Sequence, residues 1–425
     1  MREIAIMNAR RTDKPYAIVI GLESIVGLQT ARILKDRGVP VIAMTDEPDA
    51  FCCRTNVCER IITTPRDDKG LVDALQALAP ELNHKPVLYP CSDMSVLKVS
   101  RNRDKLEDAY HILLPSADVV EMLMDKVRFY GYAEEQGLPI PKTFFLRNHE
   151  DAKRAAEELS FPCILKPPTK TPEWMAKAKV GVYKIATAEE FLALYDVCNG
   201  WVETLMIQEW IEGSDGRLFS CNCYFNAESE PIVTFVARKV RQWPPEAGTS
   251  SLGEECRNDY VLEESIRLFR GVGYRGLGYV EFKQDARTGK HYIIEPNIGR
   301  PTGRSAIAEA GGVELLYAMY CDAVGWPLPS GLKQKYGNAK WIYWRRDFQA
   351  ALFYWRRGDI SLREWLQSWR GKKKCAVFSW TDPVPFFADI IRVLGLLFQA
   401  KKKGASRPAA AVSAAQSATQ KMGPD

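Results

Sequence analysis

The sequence predicts an α/β protein that passes into an α+β one, and three stretches carry that prediction. Residues 16 to 46 place an apolar run, a helical repeat and a second apolar run in succession. Residues 276 to 304 form two strand-like runs that meet in a tight turn. Residues 331 to 403 differ from everything before them in charge and aromatic content. At 425 residues, 46% of them hydrophobic, the chain can bury a large core divided among about two to four domains.

The first domain is expected over residues 1 to 115. YAIVIG reads as a short buried strand, Gly21 and Gly27 flank a turn, LQTARILKDRG has helical periodicity and stops at Gly38, and VPVIAMTD is a second strand. Such a βαβ unit opens a doubly wound, Rossmann-like sheet. The spacing GLESIVG is not the glycine fingerprint of dinucleotide sites, so no dinucleotide is expected. A helix at LVDALQALAPEL and a strand at KPVLYPCSD follow, which puts Ser92 and Asp93 at a strand's C-terminal end, where ligands of open sheets sit.

A second domain is expected over residues 116 to 330, with a smaller covering lobe at about 140 to 210. Lys126 opens a helix that runs to Gly137, and LPIPKT leaves it extended because its prolines forbid continuation. FPCILKPP is an apolar strand that ends in Lys166. An ammonium on so apolar a strand needs a partner, and a polyphosphate is a natural one; a solvated surface charge is the alternative at Lys126. Residues 167 to 180 read as a mobile basic loop with Lys170, Lys177 and Lys179. LMIQEWIEG is a strand running into Gln208, Glu209, Trp210 and Ile211. The backbone there can hydrogen-bond a flat heterocycle between Trp210 and Ile211, or it is an ordinary strand end. SCNCYFN and PIVTFVARKVRQ form an expected antiparallel pair, and WPPEAGTSSLGEE after Arg241 reads as a loop.

The pair YVEFK and HYIIEPN turns near Thr288, so Glu281 and Glu295 should lie opposite each other. Alternation points Asn297 to the face of Glu295. Two carboxylates and an amide oxygen make a hard, all-oxygen set suited to Mg²⁺, a cation that keeps water and phosphate oxygens in its octahedron. The plain alternative is a hairpin with two surface acids.

Lys126, Lys166, the QEWIEG linker, Glu281, Glu295 and Asn297 occur in the order and approximate spacing of the ATP-grasp superfamily, and residues 16 to 330 resemble it. The helix before GLPIPKT, the ILKP strand, KVRQWP and EPNIGRP are most similar to carboxylate-amine ligases of the D-aspartate ligase type. That resemblance implies a Rossmann-like preATP-grasp domain, an ATP-grasp fold, and ATP-dependent amide formation through an acyl-phosphate, with ADP and phosphate released. It implies that Lys126 and Lys166 bind the phosphates, that Gln208, Glu209, Trp210 and Ile211 hold adenine, and that Asp215 holds the ribose. It further implies that Glu281, Glu295 and Asn297 hold Mg²⁺, with Mn²⁺ as a substitute, and that Arg241 and Arg300 face the γ-phosphate and the acyl-phosphate. The chain departs from the pattern at residues 167 to 180, which lack the expected glycines. A catalytically silent ATP-binding module and a membrane-surface scaffold are the competing functions.

Charge separates the last segment. Residues 1 to 330 carry a net −7, whereas residues 331 to 403 carry +11 and six of the eleven tryptophans. This helical, basic and aromatic extension ends in VPFFADIIRVLGLLFQAKKK, too short to span a bilayer but suited to an anionic membrane surface through residues 384 to 403. Packing on the main body or in a homodimer is the alternative, and nucleic acid is not expected. Residues 404 to 425 are low in complexity and expected to be disordered. MREIAIMNARRTDK has no apolar core and the eleven cysteines suit a reducing compartment, so the expected location is cytoplasmic, peripheral on the inner face of the cell membrane. Cys52, Cys53 and Cys58 lack a nearby histidine, which favours buried thiols over zinc. The expected substrates are a small carboxylate and an amine.

Overall fold

The computed structural model describes residues 13–402 except 170, 179, 246 and 247, with side chains described as far as residue 395. Lys170, Lys179, Lys403 and the segment 404–425 therefore lie outside the described residues. Four parallel strands form the first sheet: β1 (Ala17–Ile20), β2 (Val41–Thr45), β3 (Arg60–Thr63) and β4 (Val87–Pro90), in the order β3-β2-β1-β4. β1 and β2 are the predicted buried runs. β3 was not predicted, because an edge strand reading RIIT shows no alternation. The helix Ile25–Asp36 begins where Ser24 accepts the Gly27 N–H at 3.0 Å, and a Cβ on Gly27 would fall 2.2 Å from the Gly21 carbonyl oxygen.

The second sheet is antiparallel: β5 (Thr143–Leu146), β6 (Cys163–Lys166), β7 (Tyr183–Ile185) and β8 (Leu205–Glu209), ordered β5-β8-β6-β7. Its core holds Trp174, Phe191 and Tyr195. Trp174 corrects the reading of residues 167 to 180 as a bare loop. A helix, Pro172–Lys177, forms there with Thr171 as its cap, because the completely buried indole needs a fixed backbone to carry it.

The large sheet has seven strands: β9 (Leu218–Phe225), β10 (Pro231–Trp243), β11 (Thr249–Glu255), β12 (Gly276–Gln284), β13 (His291–Ile298), β14 (Lys340–Ile342) and β15 (Lys373–Cys375). Their order is β13-β12-β9-β10-β11-β14-β15. β11 corrects the expected loop: TSSLGEE pairs with β10 on one side and β14 on the other, satisfying its backbone groups twice.

The basic extension is not an appendage. β14 and β15 complete the large sheet, and Trp341, Tyr343, Ala376 and Val377 share one core with the first domain's Val19 and Val41. Two buried carboxylates fix it further. Asp347 accepts both arms of the Arg241 guanidinium at 2.9 and 3.0 Å, and Asp382 accepts Arg32 at 2.8 Å and the Thr55 hydroxyl at 2.5 Å. The last helix, Val384–Lys402, docks through Asp389, and among the described residues no helix is long and apolar enough to cross a membrane. All eleven cysteines are free thiols, and no cluster of three or more His, Cys, Asp or Glu residues suited to a metal occurs among the described residues.

Candidate functional site

Glu281 and Glu295 are Cα partners across the β12–β13 ladder, as the turn centre predicts. A bulge follows between Glu281 and Phe282, and Asn297 pairs with Tyr279 two residues further along. Gly299, at φ 65°, then turns the chain beneath Leu114, where a Cβ would meet a Leu114 methyl at 2.3 Å. This turn brings Arg300 back over the strand it has just left. Its guanidinium donates to Asn297 Oδ1 at 2.7 Å, to the Tyr279 hydroxyl at 2.8 Å and to Asp93 Oδ1 at 2.5 Å. Asp93, at the β4 end, is thus joined to the hairpin.

The two acids differ electrically. Burial alone would raise the Glu281 carboxyl, but the charges of Lys239, Arg304 and Arg300 overcome it and hold the group below its ordinary value. Glu295 is raised, first by burial and next by the negative charge of Glu281, against the opposing pull of Lys126 and Lys166. Lys126 Nζ stands 4.0 Å from Glu295 Oε2, and Lys239 Nζ stands 4.0 Å from Glu281 Oε1. Asn297 is buried, and its Nδ2 has no hydrogen-bond partner among the described residues.

These groups line one cleft of about 1400 Å³ between the small lobe and the large sheet. Lys126, Lys166, Glu281, Glu295, Asn297 and Arg300 all face it. The linker does not line it in the same way. Gln208 is buried with its amide on the Thr143 hydroxyl at 2.8 Å, the Glu209 carboxylate accepts the Ser160 N–H at 3.0 Å, and Lys184 covers the Trp210 ring at 4.6 Å. The Ile211 N–H donates to no backbone carbonyl among the described residues, which leaves a donor beside the indole.

Two expected residues are placed elsewhere. Arg241 turns away from the cleft into its pair with Asp347 and a hydrogen bond to Ser368 Oγ at 2.8 Å. The register of β10 against β11 shifts on both sides of Arg241, so simple alternation from Lys239 fails, and Lys239 and Gln242 face the cleft instead. Asp215 is buried, and its two oxygens accept Gln242 Nε2 at 2.7 Å and the Tyr354 hydroxyl. It fixes Gln242 rather than opening onto the cleft.

Four arginines and a lysine were not assigned to the site from the sequence. Arg304 lies 3.7 Å from Glu281 and is braced by Ser250 and Ser220 at 2.8 and 3.0 Å. Lys239 needed the bulge to be visible. Arg345, Arg346 and Arg392 come from the extension: the pairing of β14 with β11 brings the first two to this wall, and the docking of the last helix through Asp389 brings the third. Of these, Arg304 alone had a local signal, four residues after Arg300 in EPNIGRPTGR.

A family model described as the ATP binding domain of the carbamoyl-phosphate synthase L chain matches residues 231–330. The chain is similar to D-aspartate ligase of Enterococcus faecium (strain Aus0004), 23% identical over 253 residues that cover 56% of this chain and 59% of that protein. It is also similar to D-alanine–D-alanine ligase of Stutzerimonas stutzeri (strain A1501), 24% identical over 183 residues that cover 41% and 55%. The chain thus spans less than two thirds of the length of these curated relatives. Among solved structures, N5-carboxyaminoimidazole synthetase from Staphylococcus aureus superimposes with a TM-score of 0.59 at 15% identity, covering 79% of this chain and 83% of that one. The biotin carboxylase domain dimer of Hydrogenobacter thermophilus 2-oxoglutarate carboxylase, in complex with MgADP, ADP and bicarbonate, gives 0.57 at 17% identity, with coverages of 75% and 72%. The chain has the ATP-grasp fold, and its resemblance to D-aspartate ligase holds at low identity.

Proposed function

We propose that this chain is an ATP-dependent carboxylate-amine ligase. One observation carries the reading most directly: Glu281, Glu295, Asn297 and Arg300 on one hairpin face Lys126 and Lys166 across a single cleft. The acids alone could be structural, but opposed to two lysines they form a mixed-charge site for a metal-bound polyphosphate.

A divalent cation fits the donor set. Glu295 is raised first by burial and then by the charge of Glu281, against the pull of Lys126 and Lys166, and a cation on its oxygens would oppose both causes. The donor atoms are oxygens throughout, and the buried Asn297 Nδ2 lacks an acceptor that a phosphate oxygen would supply. Glu281, Glu295 and Asn297 would hold Mg²⁺, and Mn²⁺ suits the same oxygens. When bound, the cation supplies neutralising charge at the nucleotide phosphates.

The residues then divide the work. The free Ile211 N–H and the Glu209 carbonyl meet the adenine edge beside Trp210, and Lys126 and Lys166 hold phosphate oxygens. A substrate carboxylate oxygen attacks the γ-phosphorus, the bond to the bridging oxygen breaks, and ADP leaves an acyl-phosphate. The amine then attacks the acyl carbon, gives up a proton, and phosphate departs. Negative charge builds on phosphoryl oxygens first and on the tetrahedral oxygen second, so fixed cations are what the protein must supply. Arg300 is locked by Asn297, Tyr279 and Asp93, and Arg304 by two serines, so neither needs to reorganise. Lys239 and Arg304 take the role that Arg241 was expected to fill.

The test is coupled release of ADP and phosphate by the full chain. Release should require an acid and an amine together, and Glu295→Ala should abolish it. Turnover unchanged in that variant removes the metal assignment. ATP binding with no turnover across a broad acid and amine screen supports a silent binding module instead. The same reading places the enzyme in the cytoplasm, with its last helix at an anionic membrane surface or in a homodimer contact.

A further inference from the structure

One wall of the cleft is built by the extension and is not used by the reaction above. It presents Arg345, Arg346 and Arg392 around Tyr343, with Phe51 and Trp341 beside them. Asp389 serves two of these arginines: its Oδ2 accepts Arg345 Nε at 3.1 Å and its Oδ1 accepts Arg392 Nη2 at 2.8 Å. The Tyr343 hydroxyl donates to the same carboxylate at 2.9 Å and accepts Arg345 Nη2 at 2.7 Å. Arg345 and Arg346 also sit over the Tyr343 ring, at 5.1 and 4.9 Å from its centroid.

The charges do not balance. Among the described residues the three guanidiniums have one carboxylate in ion pairs, Asp389, which takes Arg345 and Arg392, and none of the three pairs with Glu281 or Glu295. Arg346 has only the Thr249 hydroxyl as a hydrogen-bond partner among the described residues. Its guanidinium is pushed below its ordinary value, first by burial and then by the neighbouring charges of Arg345 and Arg392. A partly buried guanidinium without an acid is costly unless an anion is taken up beside it.

We propose that this wall is a second anion subsite of the cleft, which holds a further carboxylate or phosphate group on one of the two substrates, apart from the carboxylate that reacts. Guanidinium pairs suit both groups, because two parallel N–H donors match two oxygens of either. Tyr343 fixes the planes of Arg345 and Arg346, so the donors are held before the ligand arrives. The subsite rests on the ligase reading only for the identity of its occupant as a substrate. Preferred substrates are then polyanionic, and the extension determines that choice.

The test is calorimetric titration of the full chain with citrate, with 3-phosphoglycerate and with lactate, once with saturating MgADP and once without nucleotide. Citrate or 3-phosphoglycerate should bind at least tenfold tighter than lactate, and which of the two prevails tells carboxylate from phosphate. Arg346→Gln and Arg392→Ala should each remove most of that preference while MgADP binds as before. Arg392 is exposed, so its variant keeps the test open if the Arg346 variant does not fold. Equal affinity for the three probes, or a preference that survives in every folded variant, overturns the subsite. A chain that fails to bind MgADP but keeps the arginine-dependent preference overturns the ligase reading and leaves the subsite standing.

Discussion

If Glu295 holds the cation as proposed, proton and cation compete at its carboxylate. Its folded-state carboxyl is raised above the ordinary 4.5, so the folded chain binds this proton more readily than the unfolded chain does. With no cation bound, the contribution of Glu295 to stability is therefore most favourable at low pH and declines as pH rises from the unfolded value through the raised folded one. A bound cation requires the ionised form and reverses the preference. The rise in melting temperature produced by MgADP should thus shrink as pH falls through the raised value, and Glu295→Gln should flatten that dependence. A shift by MgADP that is equally pH-dependent in the variant separates Glu295 from the metal. Glu281 behaves oppositely: its lowered group contributes stability above the unfolded value and loses it as pH falls through the folded one. A second prediction concerns Arg300. Replacing it with Lys keeps the charge but cannot reach Asn297, Tyr279 and Asp93 together, so kcat should fall about 10- to 100-fold with nucleotide affinity little changed. Equal losses of thermal stability in the Lys and Ala variants, with kcat unchanged in both, would assign Arg300 to structure alone.

The elements that were legible in the sequence are those whose pattern is local. β1 and β2 are apolar runs on either side of a glycine turn and a helix, and the turn of the β12–β13 hairpin sets its register to within the one-residue bulge beside Glu281, so Glu281 and Glu295 could be read as roughly opposite from sequence alone. Asn297 followed by alternation. The bulge in β10 defeats the same rule: one shifted residue sends Arg241 out of the cleft and Lys239 into it, and nothing in ARKVRQW marks the shift. β11 was hidden because glycine, serine and proline suggest a loop until two neighbouring strands are known. The helix Pro172–Lys177 was obscured by the lysines in and around it, although Trp174 anchors it. Two energetic predictions belong at this scale. Asp347→Ala leaves the Arg241 guanidinium buried without its acid and strips Trp365 and Trp369 of the acceptor their indole N–H groups share, so it should cost about 3–5 kcal/mol. Pairing it with Arg241→Met should recover much of that loss in denaturant unfolding, and no recovery would mean that Asp347 acts chiefly through the tryptophans. Trp174→Ala empties the core of the small lobe at about 3–5 kcal/mol and should weaken ATP binding through Lys166, which the same lobe carries.

At the scale of the whole molecule, the extension ties three regions together and then presents an uncovered face. Asp382 holds it to Arg32 of the first helix, β14 and β15 hold it to the large sheet, and Asp389 turns the inner side of the last helix toward the cleft. The outer side carries Val384, Phe387, Ile391 and Leu394, exposed at successive spacings of three, four and three, next to Trp380, which is 88% exposed. That spacing makes one continuous apolar stripe along the helix, on a segment whose net charge is +11. An apolar face beside many cations is attracted to an anionic lipid surface by burial and by charge together. The full chain should therefore float with vesicles rich in phosphatidylglycerol more than with neutral ones, and raised salt should weaken the association. The double variant F387E/I391E should stay in the soluble fraction while binding MgADP as the parent does, since neither side chain lines the cleft. Flotation unchanged by the variant assigns membrane binding to another surface. A parent that is dimeric in light scattering and a variant that is monomeric assign the stripe to contact between two copies, where the same hydrophobic area is covered by protein instead of lipid.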